Sequence, residues 1–295
     1  MQELIMLFNI ENTEKYKKIS LLGLKINIKK KPKDTLIINR LNRIENNINM
    51  ISELLLKKLH NENIMHEVNL WNEHLYFQDT IPSNTVKFVE NEINNNYEYK
   101  KIMQIDFKEG DIVIDIGANV GMVSILLAKK FPFLKIYSFE PVKSNYNNLI
   151  KNIKLNNIAD NIIFPFNMAV TKDSRDILIL INLLNQGGSA LSEYTNYYPP
   201  TLLKNFSHST TLNNIVAENK INKVKLLKID CEGAEYEIFY NTDKKILSNI
   251  QNIIGEFHKV ENEDYYKLAD YLSDYVNNIT VYLFSEGKVI EKHKN

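Results

Sequence analysis

The period of the apolar positions switches repeatedly along the chain. Residues 112–116 (Ile-Val-Ile-Asp-Ile) form an apolar run of strand length broken by one carboxylate. Residues 122–131 (MVSILLAKKF) then place Val123, Leu126 and Leu127 on one helical face. The same switch recurs downstream. Strands are predicted at 134–139, 162–170, 177–183, 224–230 and 251–258, and helices at 142–156, 211–219 (opened by Thr210 and Thr211), 234–240 and 261–276. Residues 279–284 and 288–290 flank Ser285-Glu286-Gly287 and predict a closing hairpin. Such alternation specifies an α/β fold: a mainly parallel, doubly wound sheet with helices on both faces and a C-terminal antiparallel hairpin.

Upstream the pattern differs. Residues 16–22 and 24–29 flank Gly23, and the second stretch alternates apolar and polar positions, which predicts a strand or hairpin. Lys29, Lys30, Lys31 and Lys33 read as a solvated strand end. Ile37, Leu41, Ile44, Ile48, Ile51 and Leu55 are spaced 4, 3, 4, 3, 4, a heptad seam over 35–59. That seam can join a second copy in a homodimer or pack on its own chain, and the spacing leaves both open. The helical reading is carried to residue 80, and Ile81-Pro82-Ser83 ends it before helices at 84–94 and 97–104. The expected parts are a small β leader at 1–34, a helical extension at 35–80 and a large α/β domain at 81–295.

The turn after residue 116 carries the first chemical signal. Gly117 and Gly121 bracket it, permitting positive φ and a close backbone approach, and a helix N-terminus follows. The spacing is G-x-x-x-G, with Asn119 where a dinucleotide fingerprint has its middle glycine. This bulk disfavours a pyrophosphate and therefore a nicotinamide dinucleotide. Glu140 ends the next strand, 140 − 121 = 19 residues after the turn, where a carboxylate can accept hydrogen bonds from ribose hydroxyls. A nucleoside without a pyrophosphate fits, and S-adenosylmethionine is one whose sulfonium also suits the Asp115 carboxylate. Met168 and Ala169, at the end of the third strand, are placed beside the adenine. Residues 185–191 hold a glycine pair ahead of Tyr194, Tyr197 and Tyr198, a composition suited to a lid.

Composition narrows the class. Lys+Arg and Asp+Glu both number 36, and this neutral balance argues against a nucleic-acid partner. The single cysteine, Cys231, excludes an intrachain disulfide and fits a reducing compartment. No apolar run has the length of a membrane span, and residues 4–8 are too short for a signal peptide. The abundance of Asn, Ile and Lys reads as codon bias. His66 and His74 lack the spacing of a metal pair on one helical turn.

Three segments together resemble the FkbM family of S-adenosylmethionine-dependent methyltransferases: Val113 to Gly121 (VIDIGANVG), Phe139-Glu140-Pro141, and Leu227 to Glu235 (LKIDCEGAE). The resemblance covers roughly residues 85–290 and departs at Asn213, where the family often has an acidic residue. It implies a class I Rossmann-like fold and O-methylation, often of a sugar or polyketide hydroxyl. The cofactor-binding set is then Asp115, Gly117, Asn119, Gly121, Glu140, Met168, Ala169 and Asp230. The residues at 17–31 also resemble a leader of bacterial surface-polysaccharide enzymes, which favours a sugar or glycan acceptor in capsule or lipopolysaccharide synthesis. A cytoplasmic site with peripheral contact at the inner membrane is the matching location. A hydroxyl is a poor nucleophile at neutral pH, so His258 is the first candidate base, with Asp230 and Glu232 next. Mg²⁺ held by Asp230, Glu232 and water is compatible with their hard oxygens but is not favoured, and no metal ligands are assigned. Cys231 points away from Asp230 on the strand and is read as packing.

Overall fold

The structure, a computed structural model, describes residues 8–12, 16–21, 24–29, 63–80, 83–182, 190–191 and 202–294. The chain divides into two compact units, Met1–Leu59 and His60–Asn295. In the first, β1 (Phe8–Asn12), β2 (Tyr16–Leu21) and β3 (Leu24–Lys29) form an antiparallel sheet in sequence order, Leu21 pairing with Leu24. The heptad segment 35–59 and its proposed dimer contact lie outside the described residues.

The second unit begins earlier than expected. Residues 63–80 are not helical. They form a hairpin of β4 (Asn63–Leu70) and β5 (Glu73–Thr80), paired from Asn63 with Thr80 to Leu70 with Glu73. Trp71 and Asn72 both have positive φ, 50° and 67°, as a two-residue hairpin turn with right-twisted strands requires. The apolar positions that alternate inward are Val68, Leu70, Leu75 and Phe77, all at most 1% exposed. Helices Thr85–Asn95 and Tyr97–Ile102 follow.

The central sheet has seven strands: β6 (Ile112–Ile116), β7 (Lys135–Phe139), β8 (Ile163–Phe166), β14 (Leu226–Ile229), β15 (Asn252–Phe257), β16 (Asn278–Leu283) and β17 (Lys288–His293). Their order is β17-β16-β15-β14-β6-β7-β8, parallel except for the antiparallel β16–β17 edge. Each inner strand divides its apolar residues between two cores. Ile114, Ile116, Leu227 and Ile229 enter one, and Val113, Leu226 and Ile254 the other. Burial on both faces is why these strands read as near-continuous apolar runs.

The predicted third strand is two strands in different sheets. β8 joins the central sheet, whereas β9 (Ala169–Val170) pairs in parallel with β13 (Ser209–Thr210). β10 (Ile177–Asn182) also stands apart from the parallel sheet, between β11 (Ala190–Leu191) and β12 (Leu202–Ser207), the last without a sequence signal recognised in advance. The rest of the lid segment, 183–189 and 192–201, lies outside the described residues.

Helix Lys143–Leu155 holds the β4–β5 hairpin through asparagines four residues apart. Asn156, the C-cap, accepts the Tyr76 N–H at 2.9 Å and donates to the Tyr76 carbonyl at 2.7 Å. Asn152 accepts the Gln78 N–H at 2.7 Å and donates to the Gln78 carbonyl at 3.1 Å. Asn148 donates to Thr80 Oγ1 at 2.9 Å. Four helical residues rise about 6 Å and two strand residues about 6.8 Å, so the ladder stays in step over three rungs. Asn152 Nδ2 also reaches the Val120 carbonyl at 2.8 Å, tying this ladder to the glycine turn.

Candidate active site

The sheet order reverses between β6 and β14, and a crevice opens outside the carboxyl ends of strands at such a point. The chain leaves β6 through Gly117 (φ 77°), Asn119 (φ 53°) and Gly121 (φ 90°). Gly117 and Ala118 both donate to the Phe139 carbonyl at 3.0 Å. A Cβ on Gly117 would lie 1.8 Å from the Asp230 carbonyl oxygen, and one on Gly121 would lie 2.3 Å from Leu149 Cδ1. The close approach that demands glycine is therefore to the protein's own strand and helix.

Glu140 is 4% exposed. Its Oε2 accepts the Asn119 N–H and its Oε1 the Val142 N–H, both at 2.8 Å, and Asn145 Nδ2 lies 3.4 Å from Oε1. Burial outweighs these donors and pushes the carboxyl up to about 7. Asn167 Nδ2 fixes the backbone here by donating to the Glu140 carbonyl at 2.9 Å. Neither Asn145 nor Asn167 was singled out from sequence, because nothing in the spacing marks them.

A cleft of about 620 Å³, counting space open to solvent, is lined by Gly117, Asn119, Glu140, Met168, Ala169 and Asp230, together with Cys231 and Glu232. Asn119 Oδ1 is buried there without a hydrogen-bond partner among the described residues. Two of the expected cofactor residues sit outside the lining. Gly121 packs on Leu149, and Asp115 is 1% exposed beneath the turn. Asp115 Oδ2 accepts the Ser124 hydroxyl at 2.6 Å, and Oδ1 lies 3.5 Å from Lys228 Nζ. Lys228 is the residue that sequence reasoning passed over. It pairs with Asp115 in register across β6–β14, donates to the Gly117 carbonyl at 2.8 Å and lies 3.8 Å from Asp230 Oδ2. A lysine inside an otherwise apolar strand run, between Leu227 and Ile229, was its signal.

Beyond Asp230 the strand ends gather acids around one imidazole. His258 Nδ1 donates to Glu235 Oε1 at 2.8 Å, and its Nε2 lies 3.4 Å from Glu232 Oε2 and 3.8 Å from Glu256 Oε2. Tyr236 OH donates to the His258 carbonyl at 2.9 Å. Burial alone would lower the imidazole, but Glu235 and Glu232 raise it well above its ordinary value. These acids favour a proton on the imidazole while no cation competes for it, which works against the unperturbed imidazole on which the expectation of His258 as a base rested. Burial pushes the Glu232 and Glu256 carboxyls upward, and burial with the nearby Asp230 pushes Glu92 up to about 7. Glu235, in the first turn of the helix Glu235–Tyr240, is fully buried and bonds His258. Glu232 holds φ 55°, a left-handed conformation costly for a residue with a side chain. Burial and the adjacent Glu235 raise the Cys231 thiol well above its usual range, which leaves it a poor nucleophile.

A parallel sheet of this order, a glycine turn after its central strand and a carboxylate at the end of the next define the class I Rossmann-like methyltransferase fold. Residues 115–288 match the Methyltransferase FkbM domain, and the chain belongs to that family. Curated relatives are distant. Methyltransferase 1 of Beauveria bassiana (strain ARSEF 2860) is 23% identical over 165 residues, covering 51% of this chain and 66% of its own. Methyltransferase sdnD of Sordaria araneosa is 22% identical over 168 residues, covering 49% and 65%. The 31-O-demethyl-FK506 methyltransferase FkbM of Streptomyces tacrolimicus is 22% identical over 179 residues, covering 53% and 69%. The match thus spans just under two thirds of the two fungal relatives.

Proposed function

We propose that the protein is an S-adenosylmethionine-dependent O-methyltransferase acting on a hydroxyl of a sugar or glycan. The observation that carries this reading is the single cleft joining Glu140 and Asn119 at one end to Asp230 and Glu232 at the other. The orphaned Asn119 Oδ1 and the buried Glu140 carboxyl suit the donors of a nucleoside. Gly117, Asn119, Glu140, Met168 and Ala169 would hold the cofactor, which when bound supplies an electrophilic methyl group on a sulfonium. Glu140 accepts from the ribose, and Met168 and Ala169 wall the base.

The chain's contribution to the reaction is alignment of the acceptor oxygen and removal of its proton. The proton leaves toward Asp230 and Glu232, the acids on the cleft wall. Phe284, 63% exposed with its ring centroid 5.5 Å from that of His258, offers a flat apolar face of the kind on which a sugar ring packs. The resemblance of residues 17–31 to a polysaccharide-enzyme leader supports a bacterial surface glycan as the acceptor and a cytoplasmic location with peripheral membrane contact. No helix of the described residues is long and apolar enough to cross a membrane.

Calorimetric titration with S-adenosylhomocysteine, with NADH as the control, tests the cofactor. Transfer of tritiated methyl groups to nucleotide sugars, lipid-linked glycans, protein and nucleic acid then tests the acceptor. Binding of the first ligand alone and label in a sugar fraction are expected. Failure of a folded sample to bind S-adenosylhomocysteine would overturn the proposal, and label confined to protein or nucleic acid would overturn its acceptor class.

A further inference from the structure

Beside the cleft, at its Asp230 wall, Asp230, Glu256 and His258 each turn one ligand atom toward the others, all within 4.8 Å. Oxygen ligands sit about 2.0–2.6 Å from a hard divalent cation, so two on opposite sides of it lie about 4–5 Å apart. The three side chains therefore surround a volume of cation size without rearrangement of the strands.

Glu256 supplies an independent reason. Its side chain is 6% exposed, and among the described residues no donor hydrogen-bonds to it; its closest cationic partner is His258 Nε2 at 3.8 Å. A buried carboxylate without a hydrogen bond is costly, and its register at the end of β15 fixes it facing Asp230 and His258. The imidazole is oriented to match. Fully buried Glu235 accepts a hydrogen bond from Nδ1–H, which directs Nε2 into the same volume, where a bound cation displaces the Nε2 proton to solvent. A carboxylate behind a histidine is the usual support of a metal-ligating imidazole.

We propose that Asp230, Glu256 and His258 form a divalent-cation site, with Glu235 as the outer support of His258 and Glu232 at its rim. Two carboxylates and one imidazole suit a first-row ion such as Mn²⁺ better than an all-oxygen Mg²⁺ cage. The site differs from the Asp230–Glu232 pair considered from sequence, because Glu256 and His258 come from the neighbouring strand. It deepens the methyltransferase reading, on which its role rests: the cation binds the acceptor hydroxyl and draws charge from it.

Chelator-treated full-length protein is titrated with Mn²⁺, and free ion is followed by its electron paramagnetic resonance signal. One bound Mn²⁺ per chain is expected in the wild type. Glu256→Gln removes the binding, and Glu235→Gln weakens it by about 10–100-fold, as loss of an outer support does. S-adenosylhomocysteine binding, followed in parallel, reports whether each variant retains its fold. Absence of Mn²⁺ binding in a sample that binds S-adenosylhomocysteine would overturn the cation site and leave the methyltransferase reading standing. Mn²⁺ binding unaffected by Glu256→Gln would likewise overturn it. Mn²⁺ binding lost with Glu256→Gln, in protein that never binds S-adenosylhomocysteine, would support the site and sink the methyltransferase reading.

Discussion

The buried Glu140 makes cofactor affinity depend on pH in a calculable way. Its two oxygens already accept the Asn119 and Val142 amides, yet burial holds the carboxyl at about 7 in the ligand-free protein. Ribose hydroxyls donate more strongly to a carboxylate than to its acid, so the nucleoside binds the ionised form and releases a proton. With a group titrating near 7, the ionised fraction is about 0.09 at pH 6 and about 0.9 at pH 8. Affinity for S-adenosylhomocysteine therefore rises by up to about tenfold over that range, about 1.4 kcal/mol. This ligand avoids a sulfonium whose charge would couple to the Asp230 edge. Calorimetry in buffers of different ionisation enthalpy measures both the affinity and the proton released. Glu140→Gln has no such proton, so its affinity should be lower and its pH slope flatter. An equal slope in wild type and Glu140→Gln would refute the reasoning. The same group gives a sign for stability. Its folded value lies above the ordinary 4.5, so the unfolded chain ionises first. Stability falls as pH rises between about 4.5 and 7, by an amount of order 3 kcal/mol, and is flat above.

Three substitutions test the framework around the cleft. Gly117→Ala combines φ 77° with a Cβ placed 1.8 Å from the Asp230 carbonyl, and should cost about 2–5 kcal/mol in urea unfolding; a loss below about 1 kcal/mol would contradict the close packing of β6 on β14. Lys228→Met strands Asp115, 1% exposed, and should cost about 3–5 kcal/mol, much of it recovered by adding Asp115→Asn; wild-type stability of the single variant would show that the buried pair is dispensable. Asn152→Ala leaves both Gln78 backbone groups without their partners on the helix, for a loss of about 2–4 kcal/mol and faster amide exchange at Gln78; unchanged exchange would remove the asparagine ladder as the hairpin's anchor.

How much of this was legible depends on whether a signal is local. The parallel strands read directly because burial on both faces leaves runs such as Ile112–Ile116 with little polar interruption. Residues 63–80 misled because the helical reading of 35–59 was carried forward. Their own period is two, with Val68, Leu70, Leu75 and Phe77 inward, and the turn at Trp71 and Asn72 has only half of the usual residue signature. Asparagine abundance was put down to codon bias. Asn148, Asn152 and Asn156 are instead three rungs on one helical face, a pattern with meaning only once the strand opposite is known.

The site divides the same way. Gly117, Asn119 and Glu140 stand at the ends of adjacent elements, so order along the chain was enough to bring them to one edge. The partners of Lys228 and His258 come from elsewhere in the fold: Asp115 opposite Lys228 through register, and Glu232 and Glu235 from beyond the end of β14 beside His258. Sequence could place each acid at the carboxyl edge but not say which pairs share a proton or face one another unpartnered. That distinction decides the chemistry. An imidazole standing alone is a base near neutrality, whereas one clamped by Glu235 and facing Glu232 and Glu256 is drawn toward binding a proton, or a cation in its place. The acids beside the Asp230 wall of the cleft thus concentrate negative charge around one directed nitrogen. Such a concentration is stable only if protons, or a cation in their place, are bound within it.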